Sequence, residues 1–249
     1  MRTRLQANDL AAAWERNAAD WTAFVRHPAE LDSHYHRYHR DLFLELVPPP
    51  AGRTLDVGCG EGRLARDLTD RGYDVTGIDR SPTMLAAARG ASPELEWHVA
   101  DAADLPLSDD SFRLAIAFMS LQDTDDLDGA VREVARVLKP GGRFCLAVVH
   151  PLNSAGLFAA TGADSPFVIE GSYLDPSYFI DELVRGDDVL RLESLHRPLH
   201  LYADALAQAG LLIEELREPA LPSAAFVDER SPRWTRIPLF LHLRAVKLS

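Results

Sequence analysis

Leu55-Asp56-Val57-Gly58-Cys59-Gly60-Glu61-Gly62 sets an acid inside a short apolar run and follows it with three glycines on alternate positions, Gly58, Gly60 and Gly62. Thr54, Leu55 and Val57 read as a buried strand, and residues 63–69 as a helix that opens directly after the glycines. The loop between them lacks β-carbons at every second residue, so backbone amides can approach a ligand at the start of the helix. A carboxylate just ahead of the first glycine favours a ligand with a cationic amine over one with a pyrophosphate.

Outward from this loop, strands and helices alternate. Residues 74–78, 95–99, 113–118 and 143–149 read as strands, and 82–89 and 127–138 as helices, with Lys139-Pro140-Gly141-Gly142 as the turn before the last of these strands. That rhythm implies a parallel sheet covered by helices on both faces, with ligands at the carboxyl ends of the strands. Upstream, Leu5 to Val47 reads as helical: Trp14, Trp21, Phe24 and Val25 share one apolar face, Leu42, Phe43, Leu46 and Val47 another, and Pro48, Pro49 and Pro50 end the segment. Downstream, 178–185 and 189–195 around Gly186-Asp187-Asp188 read as a hairpin. A helix over 199–209 and strands over 211–216 and 239–246 complete the chain. The expected organisation is one domain, 1–249, made of a helical cap (1–50), a ligand-binding core (51–150), a substrate-lid insertion (151–198) and a C-terminal helix and strands (199–249).

The 249 residues, 47% hydrophobic, suffice for one α/β core. Lys+Arg 26 against Asp+Glu 38 gives a net charge of −12, which repels phosphate backbones and anionic lipid heads, so neither nucleic acid nor a membrane is an expected partner. No apolar run is long enough to span a bilayer, and Met1 to Leu10 lacks the apolar core of a signal peptide; a cytoplasmic location is expected. Cys59 and Cys145 read as reduced core thiols.

Together with Asp79 in Val75-Thr76-Gly77-Ile78-Asp79, the pair Asp101-Ala102 after the third strand, and Leu138-Lys139-Pro140-Gly141-Gly142-Arg143-Phe144, the glycine segment resembles motif I and the following motifs of the class I S-adenosylmethionine (SAM) methyltransferases. The likeness is strongest to the small-molecule branch that includes the ubiquinone and menaquinone biosynthesis enzymes. It covers about 54–149 and implies a Rossmann-like, seven-stranded sheet whose last strand is antiparallel. It also implies SAM as cofactor. Asp56, Gly58 and Gly60 would hold the methionine end, Asp79 the ribose diol, and Asp101 with Ala102 the adenine. Met84 and Leu105 are expected on the adenine wall, Phe118 and Met119 at the methionine moiety, and Cys59 and Arg80 are counted with them as loop neighbours. Each piece alone is weak: glycine turns and a strand-ending acid occur in dinucleotide folds, and an Asp at the position of Asp101 can cap a helix.

For the acceptor, a small molecule methylated on N, O or C, the expected lining is the cap, the loops after the fourth and fifth strands, and the inserted hairpin. His150 ends the fifth strand and titrates in the range of a general base, or alternatively shapes its loop. After the fourth strand, Ser120, Gln122 and Asp123 stand where the resemblance implies substrate contacts: Gln122 can orient the acceptor, while Asp123 can instead cap the helix that follows, the favoured reading. In His34-Tyr35-His36-Arg37-Tyr38-His39-Arg40, Tyr35 can face the sulfonium through a cation–π contact, though such clusters are usually solvated. No metal site is expected, because the histidines lack a partnering cysteine or carboxylate spacing. Trp14 and Trp21 can line the pocket or staple the cap; Tyr173, Tyr178 and Phe179 can form an aromatic wall. A planar acceptor and a monomer or homodimer are the expectations. The competing readings are a non-catalytic SAM-binding protein and a nicotinamide-dependent oxidoreductase.

Overall fold

The computed structural model describes residues 3–5, 9–27, 35–169, 171–185, 188–226, 228–229 and 231–248. The chain enters through β1 (Thr3–Leu5) and α1 (Leu10–Arg26), then a π-helical turn (Tyr35–His39) that runs into α2 (Arg40–Leu44). The alternating part follows: β2 (Arg53–Val57), α3 (Arg63–Thr69), β3 (Asp74–Asp79), α4 (Pro82–Ala91), β4 (Glu96–Val99), β5 (Phe112–Phe118), α5 (Leu127–Val137) and β6 (Leu138–Val149). Beyond it lie α6 (Pro151–Ala155), β7 (Gly156–Phe158), β8 (Phe167–Ile169), β9 (Ser177–Arg185), β10 (Asp188–His196), α7 (Leu199–Gln208), β11 (Leu211–Arg217) and β12 (Phe240–Lys247).

Seven strands form the main sheet in the order β11-β12-β6-β5-β2-β3-β4, and β12 runs antiparallel to both β6 and β11. The central strands are apolar on both sides, as a sheet covered on two faces requires. On β5, Ala115 and Ala117 join Leu55, Phe144 and Leu146 in one core, against α5 and α7. Leu114, Ile116 and Phe118 point the other way, into a second core with Phe43, Leu64, Leu68 and Leu85. This is the side-chain period of two written into the sequence. Helix starts are set by local chemistry: the Ser81 hydroxyl accepts from the Met84 N–H at 3.0 Å with Pro82 behind it, and the Asp126 carboxylate accepts from the Gly129 N–H at 2.8 Å. Each such cap contributes about 1 kcal/mol.

Three features depart from the sequence reading. Residues 139–142 bulge out inside β6, between paired Leu138 and Arg143, so the expected turn lies within a longer strand. The segment expected to be wholly helical begins as β1, which adds to the inserted β9–β10 hairpin to make a three-stranded antiparallel sheet with Leu5 opposite Tyr178. Three residues are too few to show a period, and their partner lies more than 170 residues away. The small β7–β8 pair was likewise illegible. His34 and the hairpin residues Gly186 and Asp187 lie outside the described residues. Among the described residues no helix is long and apolar enough to cross a membrane.

Candidate active site

The chain leaves β2 for β3 and β4 on one side and returns to β5 on the other, so a cleft opens between the carboxyl ends of β2 and β5. The loops that leave these two strands are joined: the Ser120 hydroxyl donates to the Val57 carbonyl at 2.7 Å. Gly58 sits directly beneath, with φ +70°, and a β-carbon there would lie 2.4 Å from that of Ser120. Neither the dihedral nor the space admits another residue. Gly60, with φ +56° and no atom where its β-carbon would project, donates its N–H to Asp79 Oδ2 at 2.8 Å. Met119, which follows β5, is held in the left-handed region at φ 57°, with its N–H donating to the Ala147 carbonyl at 2.8 Å. A non-glycine residue there is uncommon and clusters at functional sites.

A single cavity at this cleft is lined by eleven of the twelve residues expected around the donor: Asp56, Gly58, Cys59, Gly60, Asp79, Arg80, Met84, Asp101, Ala102, Phe118 and Met119; Leu105, expected beside Met84, packs instead in the core with the apolar residues of α5. Asp56 is 1% exposed and its Oδ2 meets no hydrogen-bond partner among the described residues. Burial, with the charge of Asp79 beside it, pushes its carboxyl up to about 7. Burial also raises Asp79, against hydrogen bonds from the Ser81 and Gly60 amides. Asp101 is more open; its Oδ1 accepts from the Ala103 N–H at 2.9 Å, and the Arg80 guanidinium stands 3.6 Å from its Oδ2 and 3.1 Å from Asp125.

Helix α1 supplies a further wall. Trp14 and Trp21 both line the cavity, edge to face at 5.6 Å, and the Trp14 indole N–H is buried with no partner among the described residues. The helix is tied to the segments that follow β3 and β2, since Glu15 accepts from the hydroxyls of Ser81 and Thr83, and Arg26 donates to the buried Glu61 at 2.8 Å.

The three residues expected at the acceptor do not line the cavity. His150 caps α6, its Nδ1 accepting from the Leu152 N–H at 3.0 Å, while Nε2 lies 2.7 Å from Glu218. Burial lowers its pKa against the pull of that carboxylate. Tyr35 stands behind Phe118, ring to ring at 5.7 Å, donates its hydroxyl to Asp67 at 2.6 Å, and carries the Arg63 guanidinium 4.0 Å over its face. Gln122 is buried and donates to the Met119 carbonyl at 2.7 Å and to Asp123 at 3.1 Å. Tyr173, Tyr178 and Phe179 are also absent from the lining; Tyr173 accepts from the Leu199 N–H instead. Asp123, read from sequence as a cap in preference to an acceptor contact, is buried against the cavity, and Asp126 caps α5 in its place. The signal for this was faint, because Asp123-Thr124-Asp125-Asp126 offers three acids for one capping position.

Residues 55–146 match the methyltransferase domain family. Over 101 residues, 40% of this chain and 41% of the relative, the chain is 40% identical to a demethylmenaquinone methyltransferase of Chlorobaculum parvum. Over 123 residues it is 37% identical to a malonyl-[acyl-carrier protein] O-methyltransferase of Pseudescherichia vulneris, covering 48% of this chain and 49% of that one. The chain thus spans about two fifths to half the length of the curated relatives it matches. The crystal structure of a SAM-dependent methyltransferase from Mesorhizobium loti superposes with a TM-score of 0.67 at 28% identity, covering 83% of this chain and 96% of that one.

Proposed function

We propose that residues 55–146, which match the methyltransferase domain family, form a class I SAM-dependent methyltransferase domain, and that the chain transfers the methyl group of SAM to N, O or C of a small molecule. The observation that carries the reading is the convergence of Asp56, Asp79 and Asp101, from the ends of three successive strands, on one cavity floored by the glycine loop. The donor's chemistry fits these groups. A buried carboxylate with a free oxygen suits an ammonium, so Asp56 would take the amine of the methionine moiety. Asp79 would accept from the ribose hydroxyls while staying fixed by the Gly60 and Ser81 amides, and Asp101 would meet the adenine amine.

When bound, the donor supplies an electrophilic methyl group on a sulfonium. The chain's work is to hold donor and acceptor in line and to keep water out. Phe118, Met119 and the α1 tryptophans give the cavity its apolar walls. The flat faces of Trp14 and Trp21 support a planar acceptor, and the net charge of −12 supports a small molecule over a nucleic acid.

Calorimetry with SAM and NAD side by side tests the donor assignment. Micromolar binding of SAM with no response to NAD is expected, and the reverse would sink it. Release of S-adenosylhomocysteine from a panel of phenols, amines and quinols then reports transfer; binding without release across the panel would favour a non-catalytic role.

A further inference from the structure

Asp123 ends the short 3-10 turn Leu121–Asp123 that follows β5, and it lines the same cavity as Met119 and Ser120. It is 9% exposed. Its Oδ2 accepts from Gln122 Nε2 at 3.1 Å, while its Oδ1 is buried with no hydrogen-bond partner among the described residues. Leaving a carboxylate oxygen so is costly, and nothing in the fold needs it, since Asp126 does the capping. The turn is held rigidly. The buried Arg197 donates to the carbonyls of Leu121 and Gln122, both at 3.2 Å, and to that of Thr124. Its guanidinium is thus spent on the backbone around Asp123 and not on the carboxylate. Gln122 completes the mount by tying the same turn to the Met119 carbonyl.

We propose that Asp123 is the acid–base residue of the acceptor half, and that the acceptor's nucleophile is a nitrogen or oxygen that carries a proton. The proposal rests on reading the cavity as a methyl-donor site. In the step, the lone pair of the acceptor N or O forms the bond to the methyl carbon as the carbon–sulfur bond breaks. That electron pair returns to sulfur, leaving a neutral thioether, and the N–H or O–H proton passes to the free oxygen of Asp123. The groups that face this carboxylate are Arg197 ahead of α7, Tyr202 on α7, Asp181 on β9 and Ser194 on β10. Burial outweighs the hydrogen bonds and Arg197 and pushes it up to about 7, where a general base at neutral pH is most effective.

The test needs no knowledge of the acceptor. Sinefungin carries an amine where the donor carries its transferable methyl, whereas S-adenosylhomocysteine has nothing there. Every other contact is shared, so the ratio of their dissociation constants isolates the group facing the methyl position. With Asp123 there, the wild type should bind sinefungin at least ~10-fold tighter than S-adenosylhomocysteine at pH 8, and the ratio should shrink about tenfold by pH 6 as the carboxylate gains its proton. Asp123→Asn should bring the ratio to within about twofold of unity at both pH values while leaving S-adenosylhomocysteine affinity in place. A wild-type ratio near unity, or one indifferent to pH, overturns the proposal even if the variant does not fold. Failure of both ligands to bind overturns the donor-site reading instead.

Discussion

If the donor's ammonium sits at Asp56, as proposed, donor affinity follows pH. Its carboxyl is held at about 7 by burial and by Asp79, against about 4 for an exposed aspartate. An ammonium placed against its free Oδ2 pairs only with the ionised form, so below pH 7 each bound donor must expel a proton. The cost is about 1.4 kcal/mol per pH unit, which makes the dissociation constant rise about tenfold per unit. From pH 7.5 to pH 5.5 affinity for S-adenosylhomocysteine should therefore fall by about 30-fold, roughly 2 kcal/mol, with a plateau above pH 7.5. Calorimetry in buffers of different ionisation enthalpy counts the protons directly: close to one should be released per ligand at pH 5.5 and close to none at pH 8. Asp56→Asn should bind weakly and with little pH dependence. A wild-type affinity that changes less than threefold over this interval would refute the placement of the ammonium at Asp56.

Gly58→Ala combines a β-carbon 2.4 Å from that of Ser120 with a φ of +70°, and should cost about 2–4 kcal/mol, read as a thermal midpoint lowered by about 5–15 °C; an unchanged midpoint would show that the two loops can part. His150→Ala removes the α6 cap and a pairing with Glu218, so about 1–2 kcal/mol of stability should go while S-adenosylhomocysteine affinity stays within twofold; lost turnover at unchanged stability would return His150 to the chemistry. His242, fully buried with its Nε2 3.1 Å from that of His39, is lowered to about 4 by burial and by Arg217. The unfolded chain takes up that proton near pH 6.5 and the folded chain only near 4, so its contribution is complete above 6.5 and lost on the way down to 4. Relative to His242→Phe, the wild type should lose about 3 kcal/mol between pH 7 and pH 4 in denaturant titrations; a constant difference would contradict it.

The cavity lining drawn from the glycine loop and the ends of β3 and β4 was legible because its placement is local. Asp56, Asp79 and Asp101 each end or follow a strand that announces itself by apolar residues, and the glycines between β2 and α3 are demanded by backbone geometry that a sequence displays directly. The acceptor half depends on contacts between distant segments. Asp123 differs from Asp125 and Asp126 only in what covers it, and part of that cover comes with Arg197, more than 70 residues on. For His150 the strand-end rule found the right place for the backbone but not for the side chain, which turns back to cap α6 next to a carboxylate contributed after β11. Tyr35 reached the neighbourhood of the cavity but was screened from it by Phe118. β1 was hidden by brevity, since its partner strand alone gives it a reason to be extended.

The hydroxyl of Ser120 resting on the Val57 carbonyl, with Gly58 pressed beneath it, makes the two halves of the cavity share one floor. Anyone wishing to retarget this scaffold to a new molecule inherits that constraint: a change at Ser120 itself would shift the glycine loop beneath it. The tryptophans of α1 take no part in that contact, so changes of selectivity are best sought at those two side chains, with Glu15 and Arg26 left to hold the helix against the loops.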